Sequence, residues 1–344
     1  MGFVNYKRQP LVFNEIGKPI NDLSMKDALH EAGLDFKVGI VETRVRLPNP
    51  YYVSDDSIHN YGGKYLLYKV PGSYATFRED NNHVFGAVGS KYQVVQNDVA
   101  LDFIEKVCDY DKSVRIETAG CYNYGATMLI TAKYPIPFSI SDKDEVDRYL
   151  LFTNSHDGSG SIECAVTNIR VICNNMLNAA LRNATSRFSF KHTKNVKQAI
   201  MNAVDDIRLS ENYMKMQQQD LQLLSDIKVK DNNIKGYVYS LFLDNAQKEY
   251  AMNFNSIYDT SDEFISVRLR NKIVSVINTI ESGCGQELHR GTVLWLYNGV
   301  TCYLNNVVEY KSAEDKLESL TKRIGFKLNQ KAYDLAISAI SRAV

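Results

Sequence analysis

The segment IECAVTNIRVICNNMLNAAL, residues 162–181, decides how the rest of the chain is read. Through Ile172 it is a β-type run. From Cys173 onward Met176, Leu177, Ala180 and Leu181 fall at helical spacing and predict a helix directly after the last strand of a sheet. Upstream, residues 64–172 hold short β-type runs separated by turn residues. Runs at 65–70, 74–77 and 84–88 are broken by Pro71-Gly72 and Asp80-Asn81-Asn82, which predicts a three-strand meander. Gln96-Asn97-Asp98 offers a helix cap, and Val99, Phe103, Ile104 and Val107 share one helical face that ends near Tyr110. Runs at 114–118, 126–132, 149–153 and 162–172 form a second antiparallel group, with turns at Asn123-Tyr124-Gly125 and Asp157-Gly158-Ser159-Gly160.

After His192 the apolar period becomes 3.6. Val196, Ile200, Val204 and Ile207 make one stripe, and Ile265, Leu269, Ile273, Val276 and Ile280 another. Leu288, Trp295, Leu296 and Leu304 suggest a third, while Leu317, Leu320, Ile324, Leu328 and Leu335 mark C-terminal helices. Met214, Met216 and Gln217 to Gln219 read as an exposed helix or hinge. The expected fold class is α+β: an antiparallel domain with a β-β-β-α core over residues 1–192, then an all-helical domain over residues 193–344. A length of 344 residues agrees with about two domains.

Composition narrows the function. Apolar residues are 44% and charged residues 23%, enough for a real core. Lys plus Arg and Asp plus Glu both number 40, so no global field draws the chain to nucleic acid or membrane, and a charged partner must be read by a local patch. The longest apolar stretch, residues 293–304, falls short of a spanning helix. The first 17 residues lack the apolar region of a secretory signal, and a soluble cytoplasmic protein is expected. The six cysteines (108, 121, 164, 173, 284 and 302) contain no C-x-x-C pair and read as reduced, buried thiols.

Enzyme signatures are sparse. No phosphate-cradling G-x-x-x-x-G-K-[ST] occurs, and Gly158-Ser159-Gly160 and Gly283-Cys284-Gly285 are turn glycines. The acids Asp142, Asp144, Glu145 and Asp147 could converge on a divalent metal, but between Pro137 and Tyr149 a solvated loop is the simpler reading, and Val146 breaks an EF-hand pattern. Asn154-Ser155-His156-Asp157 contains triad residue types, yet strand neighbours point to opposite faces, so a hairpin end with His156 near its tip is expected. His59, His83 and His289 read as structural or surface residues. No catalytic residue, metal ligand or cofactor is expected.

One charge pattern is positive evidence. Between Cys164 and Ala203 there is no acid, while Arg170, Arg182, Arg187, Lys191, Lys194 and Lys197 supply six cations beside His192. Phe188 and Phe190 share a face if the segment is a strand. Cations for phosphates with aromatics for bases is the combination of single-strand binders. The bland alternative is a surface linker after a helix whose C-terminus favours cations.

The motifs YLLFTNSHDGS (149–159) and TNIRVICNNMLNAAL (167–181) resemble the phage/plasmid-like protein family, a domain of unknown function common in phage and plasmid genomes. ALHEAGLD (28–35), VGSKYQVVQND (88–98), ETAG (117–120) and GTVLWLYNGVTCYL (291–304) follow in the family's order. Met176 and Asn168 depart from its pattern, where Thr and Pro are expected. The resemblance implies a mobile-element origin, a bacterial host cytoplasm and no known cofactor. The strand order closing on a basic helix is also similar to single-strand annealing proteins of the Rad and phage Red-beta type, which form rings around DNA. The expectation is a non-enzymatic protein that binds or anneals single-stranded DNA in replication or recombination, as a homo-oligomer without membrane contact. The alternative is a protein-interaction or virion-associated factor, and a magnesium-dependent nuclease built on the acid cluster is a distant third reading.

Overall fold

A computed structural model describes residues 11–20, 23, 25–51, 63–110, 113–172, 175–177, 187–230 and 233–343. Two short helices, α1 (Val12–Ile16) and α2 (Met25–Glu31), flank strand β1 (Lys18–Pro19). Strands β2 (Val38–Pro48), β3 (Tyr65–Arg78) and β4 (Val84–Gly89) precede helix α3 (Asn97–Tyr110). Then come β5 (Arg115–Tyr122), β6 (Thr127–Lys133), β7 (Phe138–Ser141), β8 (Asp144–Ser155), β9 (Ile162–Arg170), β10 (Asn175–Met176) and β11 (Arg187–Phe190). The remaining long elements are helices: α4 (Val196–Asp226), α5 (Asn233–Phe242), α6 (Asn245–Met252), α7 (Val267–Ser282), α8 (Val293–Cys302), α9 (Ala313–Thr321) and α10 (Ile324–Ala343).

The protein is α+β with antiparallel sheets, and its C-terminal part is mostly helical. The larger sheet has the order β1-β5-β6-β8-β9-β10. β6 and β7 share one edge of β8, and β10 and β11 share the outer edge of β9. The smaller sheet is β2-β3-β4. Helix α3 lies on the larger sheet because its apolar stripe, Val99, Phe103, Ile104 and Val107, is buried there, with Phe103 5.4 Å from the Phe152 ring. In the helical part every residue of α8 is buried, against α4, α7 and α10. Nearly all the buried apolar residues form one cluster running from Val12 to Ala336.

Four local expectations are corrected. Pro71-Gly72 does not separate two strands. β3 runs through it as a bulge: the register moves from Glu42↔Tyr74 to Arg44↔Lys69, Gly72 takes a left-handed φ of 70°, and proline needs no ladder partner there. The meander is completed instead by β2, whose Arg44-Val45-Arg46-Leu47 alternation carries the period-2 signal. The expected helix over 173–181 is not formed at its described residues, since Asn175 and Met176 pair with Arg170 and Ile169 on β9. Sheet pairing overrides helical spacing in so short a stretch; residues 173–174 and 178–181 of the expected helix lie outside the described residues. The acid-rich segment is no loop but the β7–β8 hairpin, in which Asp144 is buried.

Close backbone approach fixes the helical core at Gly299 on α8. A Cβ there would lie 2.2 Å from Ile280 Cγ1 and 2.6 Å from Ile280 Cα. Gly299→Ala should therefore destabilise the protein by about 1 to 3 kcal/mol, read as a lower urea midpoint at unchanged m.

Candidate nucleic-acid interface

The basic segment begins on β11, which pairs antiparallel with β9 from Arg187↔Ala165 to Phe190↔Ile162. Strand alternation puts Phe188 and Phe190 on one face, as expected, but that face packs against the core and both rings are half-buried. Past β11 the chain turns into α4. Lys191, Lys194 and Lys197 are exposed there, and none has an acidic partner among the described residues. Arg182 lies outside the described residues, and Arg187 is placed through its β11 backbone.

The position of the lysines matters. They precede and open a helix of 31 residues with no acid in its first turn and no side-chain cap from Asn195. A helix N-terminus repels cations by roughly 0.3–1 kcal/mol each. The alternative of cations gathered at a helix C-terminus thus does not describe them, and they gain nothing from the dipole. Exposed Lys91 adjoins this surface, because Tyr92 stacks on His192 at 4.5 Å and the Gln93 amide donates to the His192 carbonyl at 3.1 Å. Lys91 is about a hundred residues away in the chain. No local signal ties it to the segment.

Two members of the expected set are not on this surface. Arg170 is fully buried: its Nε donates to both oxygens of Asp144 at 2.8 Å, and a terminal nitrogen donates to the Gly285 carbonyl at 3.1 Å. It holds the interior together and cannot reach a phosphate. His289 Nε2 donates to the same carboxylate at 2.7 Å and is itself buried, so neither Asp144 nor His289 is a surface group. The other acids diverge: Asp142 and Glu145 are exposed, while Asp147 pairs with Lys133 at 2.7 Å. Among the described residues no group of three or more His, Cys, Asp or Glu side chains is placed to hold a metal ion.

His192 is also buried. Its Nδ1 donates to the Gln93 carbonyl at 3.1 Å, and burial lowers its pKa. It braces the lysines rather than joining them.

Behind it lies a polar junction at the end of β8. His156 is not at an exposed tip but buried, with Nε2 donating to Asn97 Oδ1 at 2.9 Å. Its backbone N–H donates to Ala126 at 2.7 Å, its carbonyl accepts from Thr76 Oγ1 at 2.6 Å, and Phe85 stacks on its ring. Asn154 donates to the Val95 carbonyl at 3.0 Å, and Tyr92 donates to the Ser155 carbonyl at 3.2 Å. Ser155 faces Thr127, not His156, so no nucleophile–base pair exists in this turn. The junction joins both sheets, α3 and the basic segment.

Fold and surface define an antiparallel α+β protein that carries a lysine surface at the head of α4, the longest helix among the described residues. The chain belongs to the family described as Domain of unknown function (DUF932), whose model matches residues 84–324, more than two thirds of its length. Comparison with curated proteins and with solved structures found no match. No helix among the described residues is long and apolar enough to cross a membrane.

Two measurements probe the buried groups. Asp144→Asn removes the charge opposite buried Arg170 and should cost about 3 to 5 kcal/mol, seen by urea denaturation. Burial, then the neighbouring His192, lowers the His156 pKa to about 4 from 6.5. The unfolded chain then takes up this proton first, so stability should be full above about pH 6.5 and fall by about 3 kcal/mol as pH drops to 4. Denaturation midpoints across that window should show the loss, and His156→Gln should remove much of the pH dependence.

Proposed function

We propose that this chain is a non-enzymatic protein that binds single-stranded nucleic acid through phosphate contacts, and serves replication or recombination by binding or annealing strands. The observation that carries this reading is the trio Lys191, Lys194 and Lys197. All three are exposed, without acidic partners among the described residues, at the N-terminal end of α4. Lysines there raise the positive potential of the helix end, and the combination favours an anion. Lys91 extends the surface. Net charge is zero overall, so attraction to phosphate is local to such a surface.

The reading is narrower than the sequence pattern suggests. With Arg170 buried and Phe188 and Phe190 packed on the core, binding rests on charge, with little base stacking from this segment. Modest sequence preference and steep salt dependence are expected. The resemblance to phage and plasmid proteins supports a mobile-element setting in a bacterial cytoplasm. The competing role, a protein-interaction factor, predicts no salt-sensitive oligonucleotide binding at all.

Fluorescence anisotropy with a labelled single-stranded oligonucleotide over a salt series tests the proposal. Three phosphate contacts give a log K against log salt slope of about −2, at roughly −0.7 per contact. Replacing Lys191, Lys194 and Lys197 together with Gln should weaken binding and flatten the slope by about 2. Absence of binding at low salt, or a triple variant that binds as the parent does, removes this function.

A further inference from the structure

The smaller sheet extends into a two-stranded arm. Residues 44–48 of β2 pair with residues 65–69 of β3, while β4 pairs β3 only from Ser73 to Phe77. Beyond that pairing, neither edge of the arm has a strand partner among the described residues. Strand alternation sorts its side chains onto two faces. One face carries Glu42, Arg44 and Arg46 with Lys69, exposed Leu67 and Tyr65 opposite; Lys69 pairs with Glu42, and the Arg46 guanidinium lies 4.1 Å from the Tyr65 ring centroid. The other face is apolar: Val41, Val45 and Leu47 with Leu66 and Tyr68. Val41 is 52% exposed, and Val45, Leu47 and Tyr68 are between 42% and 44% exposed. A long bare edge with an apolar face is a template for another strand.

We propose that the outer edge of β2 pairs antiparallel with β2 of a second copy of this chain, about a twofold axis at Thr43. Self-complementarity selects this occupant. With Thr43 on the axis, Glu42 of each copy faces Arg44 of the other, and Val41 of each faces Val45 of the other. Both ion pairs lie on the charged face and both apolar pairs on the other face. Moving the axis to Arg44 keeps two ion pairs, Glu42 with Arg46, but sets Arg44 against itself, and moving it to Val45 sets Arg44 against Arg46 twice, so like charges meet in both neighbouring registers and not in the one about Thr43. The free edge of β3, residues 65–70, carries no acid and offers no such match. The result is an isologous dimer in which two three-stranded sheets become one six-stranded sheet. β2 and β3 lie before the family match, which starts at residue 84.

The test uses the full chain without nucleic acid, so its outcome is independent of the strand-binding proposal. In sedimentation equilibrium the parent protein should dimerise. Arg44→Glu sets acid against acid twice and should weaken the dimer about tenfold or more. Glu42→Arg should weaken it likewise, although it also removes the Lys69 partner. The double exchange E42R/R44E restores both ion pairs and should return affinity to within about threefold of the parent. Thr43→Cys supplies a second readout, because directly opposed antiparallel residues sit about 4.5–5.5 Å apart at Cα, within disulfide range. A covalent dimer on a non-reducing gel, absent in the parent, is expected. A monomeric parent overturns the proposal, whether another segment of the same chain or an oligonucleotide covers the edge. So does a dimer that ignores both charge changes, or one that gains no cross-link at Thr43.

Discussion

One carboxylate holds the sheet to the helices. Asp144 opens β8, Arg170 closes β9 and His289 precedes α8, and the three meet in the buried interior. A buried ion pair repays its desolvation only with good geometry and satisfied neighbours. Here the Arg170 Nε reaches both carboxylate oxygens, His289 supplies a further donor, and the Gly285 carbonyl takes another guanidinium nitrogen. Gly285 can present its carbonyl this way because it adopts a left-handed φ of 71°, and a Cβ there would lie 2.9 Å from Ile172. The direction of β8, the end of β9 and the approach to the central helix follow from this contact.

A second node, at the far end of β8, acts by a different rule. His156 is kept neutral by burial, and its partner Asn97 donates in turn to the Leu34 carbonyl at 2.9 Å. Neutral hydrogen bonds in a buried site are directional and cheap to desolvate compared with an ion pair. The two nodes therefore bracket one strand, with charge at its start and neutral polar contacts at its end. The second node also fixes the lysine surface, since His192 stacks on Tyr92 and Tyr92 bonds Ser155. The lysine surface is thus held in place by polar and aromatic groups that are buried or half-buried.

The two proposed roles would divide recognition between charge and backbone. At the head of α4 the lysines act as point charges beside helix amides, which suits phosphate and is screened by salt. On the arm the unpaired edge acts through main-chain groups and an apolar face, which suits a strand and is less sensitive to salt. The proposed strand binding and the proposed pairing of two copies are compatible because they use separate elements, α4 and β2.

The sequence by itself determined the elements with a strong period: the α3 stripe, the runs of β5, β6, β8 and β9, and the helical character after His192. It also determined that the basic segment contains no acid, because that is a property of order along the chain. It could not show that Arg170 turns inward while Lys191 stays outside, since both are cations in one acid-free run. Only the placement of Asp144 and His289, 26 residues before Arg170 and 119 after it, makes burial of that charge tolerable. Asp144 and His156 were legible as chemistry-bearing types, yet their spacing placed them in a loop and at a turn tip. Their interior roles depend on partners far away in sequence. Lys91 joins the lysine surface only through the stacking of Tyr92 on His192, and residues 175–176 become a strand only because β9 offers a free edge. Local periodicity reports what a segment can form; which charge is exposed is set by long-range partners, and those exist only once the chain has folded.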